Sequence, residues 1–312
     1  MPREHFGPSY AHVPRSELLS FEEIADLAGS LKGLGLRKVR LTGGEPLLRR
    51  ELPRLVALLK AHELEVAMTT NAVLLPRHAQ NLRCAGLDRI TVSLDALDPS
   101  VFQAVADTDA QPEHVLAGIR AAERAGFEHL RINCVVKRSL NELEVPRLVR
   151  HFRGSGHVLR FIEFMDVGST NGWLPDAVVS EREILELVSR EAAFEALPKL
   201  RASDTASRYR LRDGSLELGV VASVTRPFCG DCVRARVSAR GELFTCLFGA
   251  PRLDVRALLR GGGDLALLDA LTGAWRERSD RYSELRGKVG SGIVSPGQLV
   301  RATRPEMSHV GG

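Results

Sequence analysis

Long apolar runs are absent from this 312-residue sequence. No stretch of eighteen apolar residues occurs, and the N-terminus has no apolar core of the signal-peptide kind, so neither a spanning helix nor export is expected. Basic runs of the nucleic-acid-binding type are missing too. A net charge of +4 and a pI near 8.9 suit an anionic small ligand without requiring a polyanion. No internal repeat or low-complexity segment is evident. Cysteine is scarce, five in all, yet three of the five lie between positions 229 and 246. The expected location is the cytoplasm, where thiols stay reduced and clustered cysteines mean metal rather than disulfide. What remains is an ordinary globular composition, 44% hydrophobic and 26% charged, with chain enough for one large domain or two modest ones.

The cysteine-bearing stretch is FCGDCVRARVSARGELFTCLFG, residues 228–249. Cys229 and Cys232 enclose two residues, and thirteen more precede Cys246. A Cys-x-x-Cys turn brings two thiolates to one soft metal centre. The third returns on the far strand of a hairpin whose turn is Ala239-Arg240-Gly241-Glu242. Structural zinc takes a fourth ligand, and past Cys246 the only further His or Cys is His309. Three thiolates and an open position suit an iron–sulfur cluster better, with a zinc hairpin of a nucleotide-binding module as the alternative. Arg234 and Arg236 lie at strand spacing beside the pair. Cys84 and Cys134, far apart, read as small buried hydrophobes.

Along the chain, Ser20-Phe21-Glu22-Glu23 forms a capping box, and the helix it opens stops at Gly33 and Gly35. Strand-like segments then follow at 38–43, 65–70, 89–95, 129–136 and 158–165, with helical stretches near 51–63, 76–85, 112–126 and 142–153. This alternation predicts a parallel sheet curled into a full or partial barrel, with its site at the C-terminal strand ends. Past residue 166 come a loop, a helix opened by Ser180, short strands over 196–250 with Asp213-Gly214 as a hairpin turn, and one helix near 265–285. Lys38, Arg40, Arg131, Arg160, Arg234 and Arg236 are expected to converge on one cavity. A cation buried there unpaired costs about 3–5 kcal/mol, which a bound polyphosphate offsets.

FGPSY, KVRLTGGEPLLRREL, TTNA, ITVSLDALDP, LRFIEFMDVG, PFCGDCVRAR, FTCLFG and a final Gly-Gly together resemble one family, the radical S-adenosylmethionine enzymes that open molybdenum cofactor synthesis, the GTP 3′,8-cyclases. The resemblance implies an α/β fold, a partial (βα) barrel over residues 1–168 and a C-terminal cluster-binding α+β domain over 169–312. It implies a [4Fe-4S] cluster on Cys229, Cys232 and Cys246, with S-adenosylmethionine at Gly44, Ser93 and Met165. GTP is placed at Arg40, Thr70, Arg131, Arg234 and Arg236, with Lys38 and Arg160 as phosphate or ribose contacts. Gly311 and Gly312 are expected to reach toward the site. The reaction it implies takes hydrogen from ribose C3′ of GTP with a 5′-deoxyadenosyl radical, and the carbon radical then attacks C8. The family further implies a homodimer, an electron donor and a downstream cyclic pyranopterin monophosphate synthase, with no nucleic acid or membrane partner.

Two departures are small: the family more usually has Lys at Arg131, and a polar residue at Val233. A third is large. The family's first cluster sits on a Cys-x-x-x-Cys-x-x-Cys loop followed by Met-Pro, and this sequence opens with Met1-Pro2. The expectation is a start placed just after that loop, leaving the barrel without its first strand and the second [4Fe-4S] cluster without ligands. The chain as written is then inactive. The alternative is a degenerate paralogue that binds GTP without catalysis.

Overall fold

The computed structural model describes residues 13–168 and 170–289, together with Glu306 and His309. Its first helix, α1 (Phe21–Gly33), opens on the expected capping box. Ser20 Oγ accepts from Glu23 N at 3.1 Å, and Glu23 Oε2 accepts from Ser20 N at 2.7 Å. Gly35 follows in the left-handed region at φ 97°, which ends the helix without a Cβ penalty.

Beyond it β1 (Lys38–Leu41), α2 (Leu52–Ala61), β2 (Glu65–Thr70), α3 (Leu75–Cys84) and β3 (Arg89–Ser93) alternate as expected. An unexpected helix, α4 (Pro99–Ala106), comes next, with Asp98 Oδ1 accepting from Ser100 N and Val101 N. Then α5 (Pro112–Arg124), β4 (Arg131–Val136), α6 (Glu144–Phe152) and β5 (Val158–Glu163) complete the alternation. The second half supplies α7 (Glu181–Ser189), β6 (Phe194–Leu197), β7 (Ser207–Leu211) and β8 (Glu217–Val221). Strands β1 to β5 are parallel in sequence order, β8 joins β5 in parallel, and β7 and β6 follow antiparallel. The sheet therefore continues across residue 168 with strands from the chain's second half. Its described strands run from β1 at one edge to β6 at the other.

Register divides the sheet into two chemically different faces. Val66, Met68, Ile90, Val92, Ile132, Cys134, Leu159, Phe161, Leu218 and Val220 share one face, each at most 2% exposed, and belong to the main apolar core with the helices. Full burial of each such side chain contributes roughly 1.5–3 kcal/mol. The opposite face is polar. Cys134 is a buried hydrophobe, as expected, whereas Cys84 is exposed near the end of α3. Helix α5 packs tightly on the turn after β2: a Cβ on Gly118 would fall 2.1 Å from the Ala72 carbonyl oxygen.

A smaller sheet holds β9 (Arg236–Val237), β10 (Glu242–Phe244) and β11 (Leu253–Asp254), followed by α8 (Val255–Gly261) and α9 (Gly263–Arg276). The single helix expected at 265–285 is two: α9 ends at Arg276, and α10 (Tyr282–Val289) begins after a five-residue interruption. A buried ion pair ties α10 to the loop after β5. Asp166 accepts from Arg286 and from the Tyr282 hydroxyl, and the two charged side chains are only 7% and 8% exposed. Removing one partner strands the other. Asp166→Ala is expected to lower unfolding free energy in urea by about 3–5 kcal/mol, with the Asp166→Ala/Arg286→Met pair recovering much of it. An undiminished midpoint in the single variant would contradict this account.

Candidate metal and anion site

The polar face of the main sheet gathers guanidiniums. Arg40 of β1 donates Nη1 to Thr69 Oγ1 and Thr91 Oγ1, each at 3.0 Å. Arg160 of β5 donates Nε and Nη2 to one acceptor, Asn133 Oδ1, at 2.9 and 2.8 Å. Arg131 begins β4 between them, directly across from Thr91 and Val158. Among the described residues none of these three arginines has a carboxylate within ion-pair distance. Burial pushes Arg160 down to about 9, helped by the charges of Arg131 and Arg40. Burial lowers Arg40 and Arg131 as well, Arg40 being next affected by Arg131, and Arg131 by Arg89. A guanidinium remains protonated at neutral pH, so the shift reflects an unfavourable concentration of positive charge.

Lys38 and Thr70, also expected at the site, have carboxylate partners of their own. Lys38 lies at the N-terminal end of β1, with Nζ 2.8 Å from Glu65 Oε1, a carboxylate that Arg89 also approaches at 2.9 Å. It is neutralised from within the protein. Thr70 points to the opposite side of the sheet, where its hydroxyl donates to Glu45 Oε1 at 2.8 Å. The threonine on the cationic face is Thr69. Thr91 is the other hydroxyl that sequence reading missed.

Gly44, Ser93 and Met165 fall at or just past the C-terminal ends of β1, β3 and β5, the end at which parallel α/β sheets hold ligands. Gly43 adopts φ 135°, and Glu45 ties the glycine turn to the end of β2 by accepting from Asn71 N at 2.8 Å. The Met165 carbonyl accepts from Asn171 Nδ2 at 2.8 Å. Nearby, the fully buried Glu163 accepts from the backbone N–H of Glu181, Val224 and Thr225 at 2.8–2.9 Å, and from the Thr225 hydroxyl. That carboxylate fixes where the chain leaves β8 toward the cysteines.

The expected hairpin is formed by β9 and β10, with Gly241 at φ 87°. Its turn reaches α1: the Ala239 carbonyl accepts from Leu19 N at 2.8 Å, and Arg240 pairs with Glu17. The cysteine segment is thus anchored at the end of β5 and again at the start of α1. Cys229, Cys232 and Cys246 are half-buried free thiols. Cys232 N donates to the Cys229 carbonyl at 3.2 Å, closing the Cys-x-x-Cys turn. Burial raises the Cys246 thiol. For Cys232 burial acts upward too, but the Arg234 guanidinium, 3.3 Å from its sulfur, brings it below the ordinary thiol value. Arg236, pushed down to about 10 by burial and by Arg234, is drawn back by Cys232 and Cys246. Of the six expected cations, Arg40, Arg131 and Arg160 lie on the polar face of the sheet, Arg234 and Arg236 at the thiols, and Lys38 pairs with Glu65.

No group of three His, Cys, Asp or Glu among the described residues is arranged as ligands of a single metal ion. The donor chemistry nevertheless fits an iron–sulfur cluster: soft thiols, a lowered thiol value at Cys232 and adjacent guanidiniums. The buried Arg234 Nε, moreover, has no hydrogen-bond partner among the described residues. Gly311 and Gly312 lie outside the described residues. His309 lies on the hairpin, its Nε2 2.6 Å from Glu242 Oε2, and Glu306 accepts from Thr170 at 2.9 Å.

The chain thus combines a mostly parallel α/β sheet bearing arginines on one face with a three-cysteine hairpin. Two family models match accordingly: the Radical SAM superfamily over residues 6–152 and Molybdenum Cofactor Synthesis C over residues 157–284. A GTP 3′,8-cyclase of Acidothermus cellulolyticus is 48% identical, with all of this chain and 91% of that protein covered. Those of Xanthomonas axonopodis pv. citri (50%; 93% of this chain, 86% of that one) and Staphylococcus haemolyticus (39%; 92% and 85%) are also similar. The chain belongs to the GTP 3′,8-cyclase family. In fold it is similar to Streptococcus suis SuiB bound to S-adenosylmethionine, with a TM-score of 0.58 at 14% identity over 89% of this chain and 62% of that one.

Clustered arginines with no paired carboxylate are expected to cost stability relative to apolar side chains of similar size. Arg160→Met is expected to raise unfolding free energy by on the order of 1 kcal/mol in phosphate-free buffer. A lowered urea midpoint in that variant contradicts the reading of Arg160 as an uncompensated charge.

Proposed function

We propose that these residues form the GTP-binding part of a GTP 3′,8-cyclase, which converts GTP to (8S)-3′,8-cyclo-7,8-dihydroguanosine 5′-triphosphate in molybdenum cofactor biosynthesis. The observation that carries this reading is the trio Arg40, Arg131 and Arg160, half-buried on one sheet face with no carboxylate within ion-pair distance among the described residues. A triphosphate supplies the missing negative charge, with each charge-assisted hydrogen bond contributing about 1.5–3 kcal/mol. Arg234 and Arg236 extend the binding surface to the thiol hairpin. Cys229, Cys232 and Cys246 would hold a [4Fe-4S] cluster there, and Gly44, Ser93 and Met165 would contact S-adenosylmethionine at the strand ends. S-adenosylmethionine would supply the group that takes hydrogen from ribose C3′ once cleaved by a reducing cluster on ligands other than Cys229, Cys232 and Cys246, and the hairpin cluster would supply binding to the purine.

The protein's own part is orientation. Thr69, Thr91 and Asn133 set the directions of Arg40 and Arg160, so the guanidiniums are aimed before ligand arrives. Glu163 and the α1 contacts hold the hairpin at both ends. The remaining cysteines do not make a second ligand set, since Cys84 is exposed on α3 and Cys134 is buried on β4. One cluster per chain is the expected loading of this sequence, with reducing electrons from a donor outside it.

Calorimetric titration should show GTP binding at least about tenfold tighter than guanosine, a margin of about 1.4 kcal/mol. Arg160→Met should remove most of that margin. Equal affinities for GTP and guanosine in the wild type would sink the proposal. Iron and sulfide analysis after anaerobic reconstitution should give one cluster in the wild type and none in Cys232→Ser. Stoichiometric zinc in place of iron ends the cluster reading.

A further inference from the structure

The interruption between α9 and α10 places two charged side chains against the cysteine hairpin. Arg278 donates Nη1 to the Cys232 carbonyl, with its guanidinium 5.0 Å above the Trp275 ring and its side chain only 12% exposed. Asp280 Oδ2 accepts from the hydroxyl of Thr245, the residue before Cys246, at 2.5 Å. The same carboxylate lies 3.8 Å from Arg278 Nε and 3.6 Å from Arg252. Cys232 and Cys246 are distant in sequence, yet their supports are next-but-one neighbours and paired with each other.

We infer that this interruption is a clasp, with Arg278 and Asp280 as positioning residues that hold the Cys232 and Cys246 segments at the separation a cluster requires. Neither side chain offers a ligand atom. Arg278 fixes the backbone of the Cys-x-x-Cys turn, while Asp280 fixes the chain where it leaves β10. The Arg278–Asp280 contact converts two local restraints into one distance between thiols. Had residues 277–281 continued the helix as the sequence pattern suggests, the linker now turned onto the hairpin would be helical. The inference rests on the cluster reading of Cys229, Cys232 and Cys246.

The test compares wild type, Arg278→Met, Arg278→Lys, Asp280→Ala and Asp280→Asn. Each full chain is loaded anaerobically with ferrous iron and sulfide, then challenged with a chelator. Retained iron and sulfide, the electron paramagnetic resonance signal of the reduced cluster, and thermal melting of the metal-free form are recorded. Arg278→Met and Asp280→Ala should retain at least about fivefold less iron than wild type, with metal-free melting unchanged. Arg278→Lys keeps a donor for the Cys232 carbonyl, and Asp280→Asn keeps an acceptor for Thr245, so both should recover retention and the wild-type signal. Wild-type retention in the two truncating variants overturns the clasp. So does iron loss that follows a fall in metal-free melting, or that the conservative variants fail to rescue. A wild type that takes up no iron overturns the cluster reading itself, and the clasp with it.

Discussion

Positive charge held on a sheet face where no described carboxylate pairs with it is the constraint around which this structure is arranged. A sheet packed by helices on one side needs only apolar residues on that side, and Val66, Ile90, Ile132, Leu159 and Leu218 meet the need. The other side carries arginines whose hydrogen bonds go to neutral groups: threonine hydroxyls for Arg40 and one amide oxygen for Arg160. Neutral acceptors orient a guanidinium without cancelling its charge. A cation oriented this way costs stability that a paired carboxylate would restore.

The same contrast separates Arg160 from Arg286. Both are buried cations, but Arg286 meets Asp166 and is surrounded by the rings of Trp173, Phe248 and Tyr282. Its charge is satisfied internally and serves to join α10 to the loop after β5. Lys38 is likewise paired, with Glu65. The partner, more than the burial, separates these cations: a carboxylate for Arg286 and Lys38, a neutral amide oxygen for Arg160.

Much of this was legible in the chain itself. The alternating segments located β1 to β5, Ser20 and Glu23 announced the start of α1, and the cysteine spacing announced the hairpin. What escaped was long-range geometry. Lys38 meets Glu65 across a whole crossover, and no local pattern records such a meeting. Thr69 and Thr70 are adjacent, and strand register alone decides which faces the arginines, since one residue's displacement reverses the side. Arg278 and Asp280 read as the wet surface of a continuing helix, because polarity does not reveal a break. Strand β8 was visible as a strand, but not as the neighbour of β5.

Glu163 gathers three backbone amides from two segments onto one carboxylate: Glu181 at the start of α7, and Val224 and Thr225 ahead of the cysteines. Because one carboxylate serves all three, a Glu163 side chain that rotates away frees all three amide protons to deuterated solvent together. One side chain thereby joins the start of α7 to the approach to the thiols, although about forty residues of chain separate them.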